Sequence, residues 1–360
     1  MKIMFYINTL NTGGAERVLA NLANEFVKNN QEVIFVTSFS TKKEYELSTD
    51  IKRINLDNSK KMGRVRKNVC RIRELRKNIK NEQPDILVSF MAEANFRSVL
   101  AKLGTGTKCV ISVRNDPNRE YPGFLGKIVG KILLPLADGC VFQTEDARLW
   151  FPRRLQKKSV IIYNAVKKDF FDTARNPVSN LVVTCGRLEK QKNHENLIKA
   201  FKEVSKEIKD SMLYIYGEGT ERKKLEKLII DLEMQNKIFL KGVTENVQQA
   251  LSEADLFVLS SDYEGMPNAL LEALAVGVPS VSTDCPCGGP RMLIDDGKDG
   301  ALVKVGSVDE LKSAIINILN NSNIKTQMSK SAKIKANEFR PETIYNEWKN
   351  YLKLIIGNSK

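Results

Sequence analysis

The sequence predicts an α/β protein of two doubly wound domains facing each other across a cleft, and three observations carry that prediction. Short apolar runs alternate with helical patterns along all 360 residues, and βαβ alternation implies parallel sheets with helices on both faces. The length suits two domains of ordinary size, each with a core of its own. The alternation also restarts at Leu181, after the polar, proline-containing stretch DFFDTARNPVSN. The predicted layout is a first domain over 1–170, a linker over 171–180 and a second domain over 181–337, with a helix at about 338–360 packing back on the first.

Composition narrows the class. The chain is 42% hydrophobic and 28% charged, with no low-complexity tract or repeat, as in globular proteins. The opening MKIMFYINTLNTGGAER is too short an apolar run for a signal peptide and reads as a buried strand. No segment approaches the roughly 20 apolar residues of a membrane span. Six cysteines, at 70, 109, 140, 185, 285 and 287, are scattered, several of them in strand-like runs. That is the usage of reduced, cytoplasmic packing cysteines. Cys285 and Cys287 have no second thiol pair beside them, and His194 is the single histidine, so no metal is expected. Net charge is +14, and residues 1–168 hold 31 Lys and Arg against 16 Asp and Glu, so the whole excess belongs to the first half.

In that half the predicted strands are IMFYIN, EVIFVTS, DILVSF, CVISV, GCVFQT and SVIIYN. Ligands of doubly wound sheets bind beyond the carboxyl ends of the strands, so the loops after strands matter most. After the first, Gly13 and Gly14 open onto a helix at 15–28, whose Ala15, Val18, Leu19, Leu22, Ala23, Phe26 and Val27 share one face. Bare N–H groups there can point at an anion beside the helix's positive end, and a simple tight turn is the alternative. The G-x-G-x-x-G dinucleotide fingerprint is absent. Further on, KKMGRVRKNVCRIRELRKNIK (60–80) sets Val65, Val69, Ile72, Leu75 and Ile79 at helical spacing among bases. It reads either as a solvated amphipathic helix or as a face for anionic lipid or a diphosphate-bearing partner. No nucleic-acid recognition motif accompanies the charge.

The second half offers LVVTCG, MLYIYG, KIFLKG, DLFVLS and PSVST as strands. RLEKQKN follows the first of them, and its Arg187 and Lys192 could neutralise a diphosphate leaving group, with Lys190 a competitor and a solvated basic loop the plain alternative. After MLYIYG, Gly217 and Gly219 bracket Glu218 and would let a ligand approach the backbone. EGMPNALLE places Glu264 on a loop and Glu272 inside an apolar helix that Pro267 opens and Gly277 closes. A buried unpaired carboxylate would cost several kcal/mol, so Glu272 needs a base or donor hydroxyls as partner. A ribose for Glu272 and a sugar for Glu264 would suit both acids.

These segments resemble the retaining glycosyltransferases of the GT-B fold, in family 4. The resemblance rests on TGGAER (12–17), GRLEKQKN (186–193), YGEGTERKKLE (216–226), FLKGVTENV (239–247), SSDYEGMPNALLEALAVGVPSVSTD (260–284) and GPRMLIDDGKDGALV (289–303). It implies two Rossmann-like domains, a nucleotide-sugar donor held by the second and an acceptor held by the first. Arg187 and Lys192 would grip the donor diphosphate beside Gly186, and Glu264 would orient the donor sugar. The backbone of Gly265, Met266, Pro267 and Asn268 would lie near the sugar and phosphate, as would the Gly217 and Gly219 loop. Glu272 would bind the ribose, and Gly14, next to Gly13, would approach the diphosphate. No cofactor or metal is implied, and cations and helix termini would stabilise the leaving group. Many relatives carry a histidine after the fourth strand of the first domain. VISVRNDP has Arg114 and Asn115 there, which are assigned to sugar or acceptor contacts.

The implied reaction is transfer of a hexose or N-acetylhexosamine from a UDP-sugar to a polyprenyl-diphosphate-linked glycan, in capsule, exopolysaccharide or lipopolysaccharide O-antigen assembly. The implied location is the inner face of the cytoplasmic membrane, as a peripheral protein. YPGFLGKIVGKILLP (121–135) adds Phe124, Leu125, Ile128, Ile132 and Leu133 beside Lys127 and Lys131, either a second membrane contact or a core helix. His194, in the basic loop, reads as a surface residue. Two other classes compete. A GT-B UDP-sugar 2-epimerase would convert donor without acceptor, and a non-enzymatic basic membrane- or nucleic-acid-binding protein would leave both acids unexplained.

Overall fold

A computed structural model describes residues 1–11, 13–56 and 63–357. Thr12 of the TGGAER segment, residues 60–62 of the basic stretch and 358–360 of the predicted C-terminal helix lie outside the described residues. The chain divides into two compact units, Met1–Ala165 with Pro341–Lys360, and Val166–Arg340.

The first unit is built on a seven-stranded parallel sheet of β1 (Lys2–Ile7), β2 (Glu32–Thr37), β3 (Lys52–Asn55), β4 (Ile86–Phe90), β5 (Lys108–Ser112), β6 (Gly139–Phe142) and β7 (Ser159–Ile161). Their spatial order is β3-β2-β1-β4-β5-β6-β7. β1, β2 and β4 are buried in runs, as strands covered on both faces must be. β3 was not predicted. Its KRIN is largely exposed at the sheet edge, where backbone pairing of Ile34 with Lys52 needs no apolar side chain. The helices that bear on the argument are α1 (Gly14–Lys28), α2 (Arg64–Glu82), α3 (Ala92–Lys102) and α4 (Gly123–Ile128), the last continuing into a wide turn over Val129–Leu133. α1 buries the predicted stripe of Val18, Leu19, Leu22, Ala23 and Phe26. α2 buries only Leu75 and Ile79 of its five apolar positions, leaving Val65 78% and Val69 40% exposed.

The second unit carries a six-stranded parallel sheet of β8 (Leu181–Cys185), β9 (Met212–Tyr216), β10 (Ile238–Gly242), β11 (Leu256–Leu259), β12 (Ser280–Thr283) and β13 (Ala301–Val303). The order is β10-β9-β8-β11-β12-β13, and the unpredicted member, three-residue β13, again lies at an edge. α5 (His194–Glu207) and α6 (Asn268–Val276) begin where loops leave β8 and β11.

Residues 171–180, expected as a linker, fall within the second compact unit, which begins at Val166. Asn176 and Val178 donate their amides to the carbonyls of Ser252 and Glu253, both at 2.9 Å, and Arg175 donates to the Ala254 carbonyl at 2.7 Å. A polar segment that finds backbone partners becomes part of the unit it lies on. The last helix, α7 (Pro341–Gly357), belongs to the first unit. Trp348 stacks on Phe90 with centroids 5.7 Å apart, and the Tyr351 hydroxyl accepts from the Cys140 amide at 2.8 Å.

Strand order reverses once in each sheet, between β1 and β4 and between β8 and β11. Loops diverge at such switch points and leave a crevice for a ligand.

Candidate active site

The second switch point gathers most of the residues singled out in the sequence. The loop after β8 contains Arg187 and Lys192, and the loop after β11 contains Glu264. Lys192 Nζ meets Glu264 Oε1 at 2.5 Å, with the side chains 15% and 8% exposed. Ser261 Oγ donates to the same oxygen at 2.6 Å, while among the described residues Oε2 has a long contact, 3.4 Å, from Gln191 Nε2. The two residues expected to act on diphosphate and sugar therefore hold each other. An acid–base pair so shielded is strongly interdependent, because removing either charge leaves the other buried alone.

The loops themselves are stitched together. Asp262 donates its amide to the Gln191 carbonyl at 2.9 Å, Gln191 Nε2 donates to the Tyr263 carbonyl at 2.8 Å, and Asn193 Nδ2 donates to Asp262 Oδ1 at 2.7 Å. Ser260 Oγ donates to the Lys192 carbonyl at 2.9 Å. Such a frame fixes the ammonium and carboxylate before any ligand arrives. Arg187 stands apart: it is exposed, and its guanidinium forms no ion pair among the described residues.

Gly217 and Gly219 carry a steric role of their own. Gly217 sits at φ +142°, and a Cβ there would fall 1.9 Å from the Gly186 carbonyl oxygen. A Cβ at Gly219 would fall 2.3 Å from the Leu188 carbonyl oxygen. The space these glycines leave is filled by the loop after β8, so their direct effect is to seat that loop. The stem of Lys192 lies at ordinary contact distance, 3.4 Å, from where a Cβ on Gly186 would sit.

α6 starts at Asn268 with Pro267 as its N-cap, one residue later than predicted, and no side chain caps its first turn. Its first-turn amides, with buried Gly265 and Met266 just before them, form an electropositive end beside Glu264. Gly277 closes the helix at φ +84°. Glu272 is 7% exposed, and its charge, after burial, helps push up the Cys185 thiol at the end of β8. That puts the second acid at the same sheet edge as the first.

His194 is not a surface residue. It is 4% exposed, because His194, Leu197, Ile198 and Phe201 form the inward row of α5. Burial, then the nearby Lys192 charge, pulls its pKa down to about 4. Neither ring nitrogen completes a hydrogen bond of ordinary geometry among the described residues, although the Arg187 backbone beside the ring partly opposes the shift.

In the first unit, Gly13 and Gly14 lie after β1, with Gly13 as the N-cap of α1. A Cβ on Gly13 would collide with the Glu16 carboxylate, which folds back over this turn. Arg114 is 7% exposed, lies 4.3 Å from the Phe90 ring centroid and donates to Asn164 and Ser112. Asn115 Oδ1 accepts from the Asp116 amide at 2.8 Å. Burial pushes neighbouring Glu120 up to about 8, with Arg114 opposing. Two groups escaped the sequence reading. One is Glu120. The other is Arg97, 1% exposed, which donates to Glu93 and Asn8 at 2.6 Å and to Asn68 at 2.9 Å beside the β1–β4 switch. Arg97 falls on the buried row of α3 with Ala94 and Ala101, a charge on an apolar stripe.

Among the described residues, no three His, Cys, Asp or Glu side chains converge as a metal site, and no helix is long and apolar enough to cross a membrane.

Comparison with known proteins agrees with this layout. Residues 12–170 match the profile of the family described as Glycosyltransferase Family 4, and residues 165–335 match that of Glycosyl transferases group 1. A Campylobacter jejuni GalNAc-alpha-(1->4)-GalNAc-alpha-(1->3)-diNAcBac-PP-undecaprenol alpha-1,4-N-acetyl-D-galactosaminyltransferase is 28% identical over 99% of this chain and 98% of that one. A second C. jejuni enzyme, N-acetylgalactosamine-N,N'-diacetylbacillosaminyl-diphospho-undecaprenol 4-alpha-N-acetylgalactosaminyltransferase, is 25% identical over 98% and 99%. The crystal structure of Anabaena HepE with UDP and glucose superposes with a TM-score of 0.83 at 17% identity, covering 98% of this chain and 99% of that one, which fixes the fold. The chain belongs to the glycosyltransferases of the GT-B fold, its first part a Glycosyltransferase Family 4 domain and its second a Glycosyl transferases group 1 domain.

Proposed function

We propose that this glycosyltransferase moves a hexose or N-acetylhexosamine from a UDP-sugar, with retention, to a growing polyprenyl-diphosphate-linked glycan destined for capsule, exopolysaccharide or O-antigen. The observation that carries the reading is the Lys192–Glu264 pair, clamped at the β8–β11 switch beside the uncapped start of α6. The lipid-linked acceptor is supported by two relatives that match nearly the whole chain and whose names specify undecaprenol-linked substrates. UDP as the nucleotide is supported by a HepE structure that holds it.

Each residue then has a task. Arg187, exposed and without an ion pair among the described residues, meets the diphosphate through its planar fork, and Lys192 supplies a point charge from the other end of the loop. The α6 amides add the positive end of a helix, so leaving-group charge is stabilised by groups already in place. No metal is required on this reading. Glu264 Oε2, less engaged than Oε1, accepts from a donor-sugar hydroxyl, and Glu272 accepts from the ribose. Gly217 and Gly219 hold the loop after β8 in register, and Gly186 lies against the Lys192 stem near the diphosphate. In the first unit, Gly13 and Gly14 present α1's amino end, and Arg114 and Asn115 shape the acceptor side. Arg114 acts there through Asn164, since it is itself buried. The base-rich first unit faces the anionic inner leaflet, where a polyprenyl acceptor resides.

Calorimetric titration with UDP tests the donor site. Saturable binding by the wild type, weakened about tenfold or more in Glu272→Gln by loss of charge-assisted hydrogen bonds, is the expected result. Equal binding by both proteins removes Glu272 from the site.

A further inference from the structure

The segment from Gly123 to Leu136 is inside out. In an ordinary surface helix large apolar residues fill the inward face, and here two glycines take its first two positions. Gly126, Gly130 and Leu134 form the inward i, i+4, i+8 row. A Cβ at Gly126 would fall 2.3 Å from the Tyr121 carbonyl carbon, and one at Gly130 would fall 2.6 Å from the Trp150 ring. The glycines let the helix lie flat on its support. The opposite face carries Phe124 at 78% exposure, Leu125 at 76%, Ile132 at 66%, Leu136 at 38% and Ile128 at 37%. Isolated exposed apolar residues are ordinary, but five within 13 positions make a continuous patch.

Charge identifies the occupant. Lys127 and Lys131 flank the patch, and no acidic residue occurs from 121 to 137. The turn Arg153–Gln156 packs beside Leu134–Leu136 and brings exposed Arg153 and Arg154, in a stretch with no acid from 147 to 168. Lys131 Nζ lies 3.9 Å from the Trp150 ring centroid, so its stem runs along the patch edge while its charge stays in water. Apolar side chains on a crest ringed by bases match a bilayer with anionic headgroups, in the manner of a helix lying in the interface.

We infer that Gly123–Leu136 is the membrane-inserting edge of the first unit, with Phe124, Leu125 and Ile132 entering the acyl region and Lys127, Lys131, Arg153 and Arg154 meeting anionic headgroups. This deepens the reading of a lipid-linked acceptor and rests on it. Its vesicle-binding arm needs neither acceptor nor donor, so that it can fail independently of the enzymatic reading. The intact chain is sedimented with phosphatidylcholine vesicles and with phosphatidylcholine–phosphatidylglycerol vesicles. Binding is expected only to the second kind, falling with salt. Phe124→Ser with Ile132→Ser is expected to weaken it roughly tenfold per side chain, about 100-fold together, with the melting temperature and donor hydrolysis unchanged because both side chains face solvent. In a separate Phe124→Trp variant, brominated lipid is expected to quench the new indole. Unweakened vesicle binding in the double variant, or no quenching on bound vesicles, overturns the assignment. So does a concentration-dependent dimer that the double variant abolishes in the absence of vesicle binding, since the patch would then be a protein interface. Loss of donor hydrolysis in every form, with vesicle binding intact, would instead strike the enzymatic reading and leave the membrane edge standing.

Discussion

His194 makes stability depend on pH in a calculable way. Its folded pKa is held near 4, against an ordinary value of 6.5. The folded imidazole stays neutral where the unfolded one takes a proton. The stability it contributes is therefore fully present above pH 6.5 and is lost as pH falls toward 4. At about 1.4 kcal/mol per pH unit the loss amounts to about 3 kcal/mol across that window. In a unit of this size it corresponds to about 6–12 °C in melting temperature. His194→Leu keeps an apolar body on the inward row of α5 and removes the titration. The expectation is that wild type and variant differ in slope between pH 4 and 6.5 and run parallel from pH 7 to 8, by scanning calorimetry. Exposed pairs such as Glu195 with Lys199 titrate in both proteins and cancel in the difference. At pH 7 the variant should be at least as stable, because two buried polar nitrogens without a hydrogen bond of ordinary geometry are gone. Parallel slopes throughout would mean that the ring is hydrated or paired, and the burial argument would be wrong.

Other expectations follow from single contacts. Lys192→Met leaves Glu264 buried without its cation and should cost about 3–5 kcal/mol in denaturant unfolding, an effect that Lys192→Met with Glu264→Gln should largely recover. Gly217→Ala at φ +142° should cost at least about 1–3 kcal/mol from backbone conformation alone, before the overlap with Gly186, and should lower UDP affinity by displacing the loop after β8. Trp348→Ala, from 1% exposure, should cost about 3–5 kcal/mol and destabilise the first unit although the residue lies near the chain's end. Glu120, raised to about 8 from 4.5, contributes stability that is present below pH 4.5 and lost as pH rises through 8. Glu120→Gln should therefore raise stability at pH 9 relative to wild type, by up to about 5 kcal/mol, with the difference vanishing near pH 4.

Much of this was legible because buried strands and one-faced helices write themselves in side-chain pattern. β1, β2, β4 and the α1 stripe needed only apolar runs and a 3.6-residue period. β3 and β13 were missed for a related reason. An edge strand is held by backbone hydrogen bonds on one side, so KRIN can be charged and still pair. Residues 171–180 looked like a linker because their partners are the carbonyls of Ser252, Glu253 and Ala254, far along the sequence. His194 was misplaced because its loop is basic, although the Leu197, Ile198 and Phe201 spacing already put it on the inward row. In the site, the loop positions of Arg187, Lys192 and Glu264 and the helical position of Glu272 were readable. That Lys192 and Glu264 grip each other was not, since nothing in a sequence reports which of several ligand-facing charges meet. Nor could the sequence tell a core helix from an exposed crest at 123–136, because either arrangement shows the same apolar period. The two glycines decided it, by contacts that exist only in three dimensions.

The most direct test of the central claim is transfer of sugar from a panel of nucleotide sugars to a bacterial membrane lipid extract, in EDTA, by wild type and Glu264→Gln. The account predicts metal-free transfer from a UDP-sugar and a loss of about 100-fold or more in the variant, as expected when a sugar-orienting group is removed. No turnover of any donor, or full activity in Glu264→Gln, would contradict it and leave the Lys192–Glu264 pair a structural clamp.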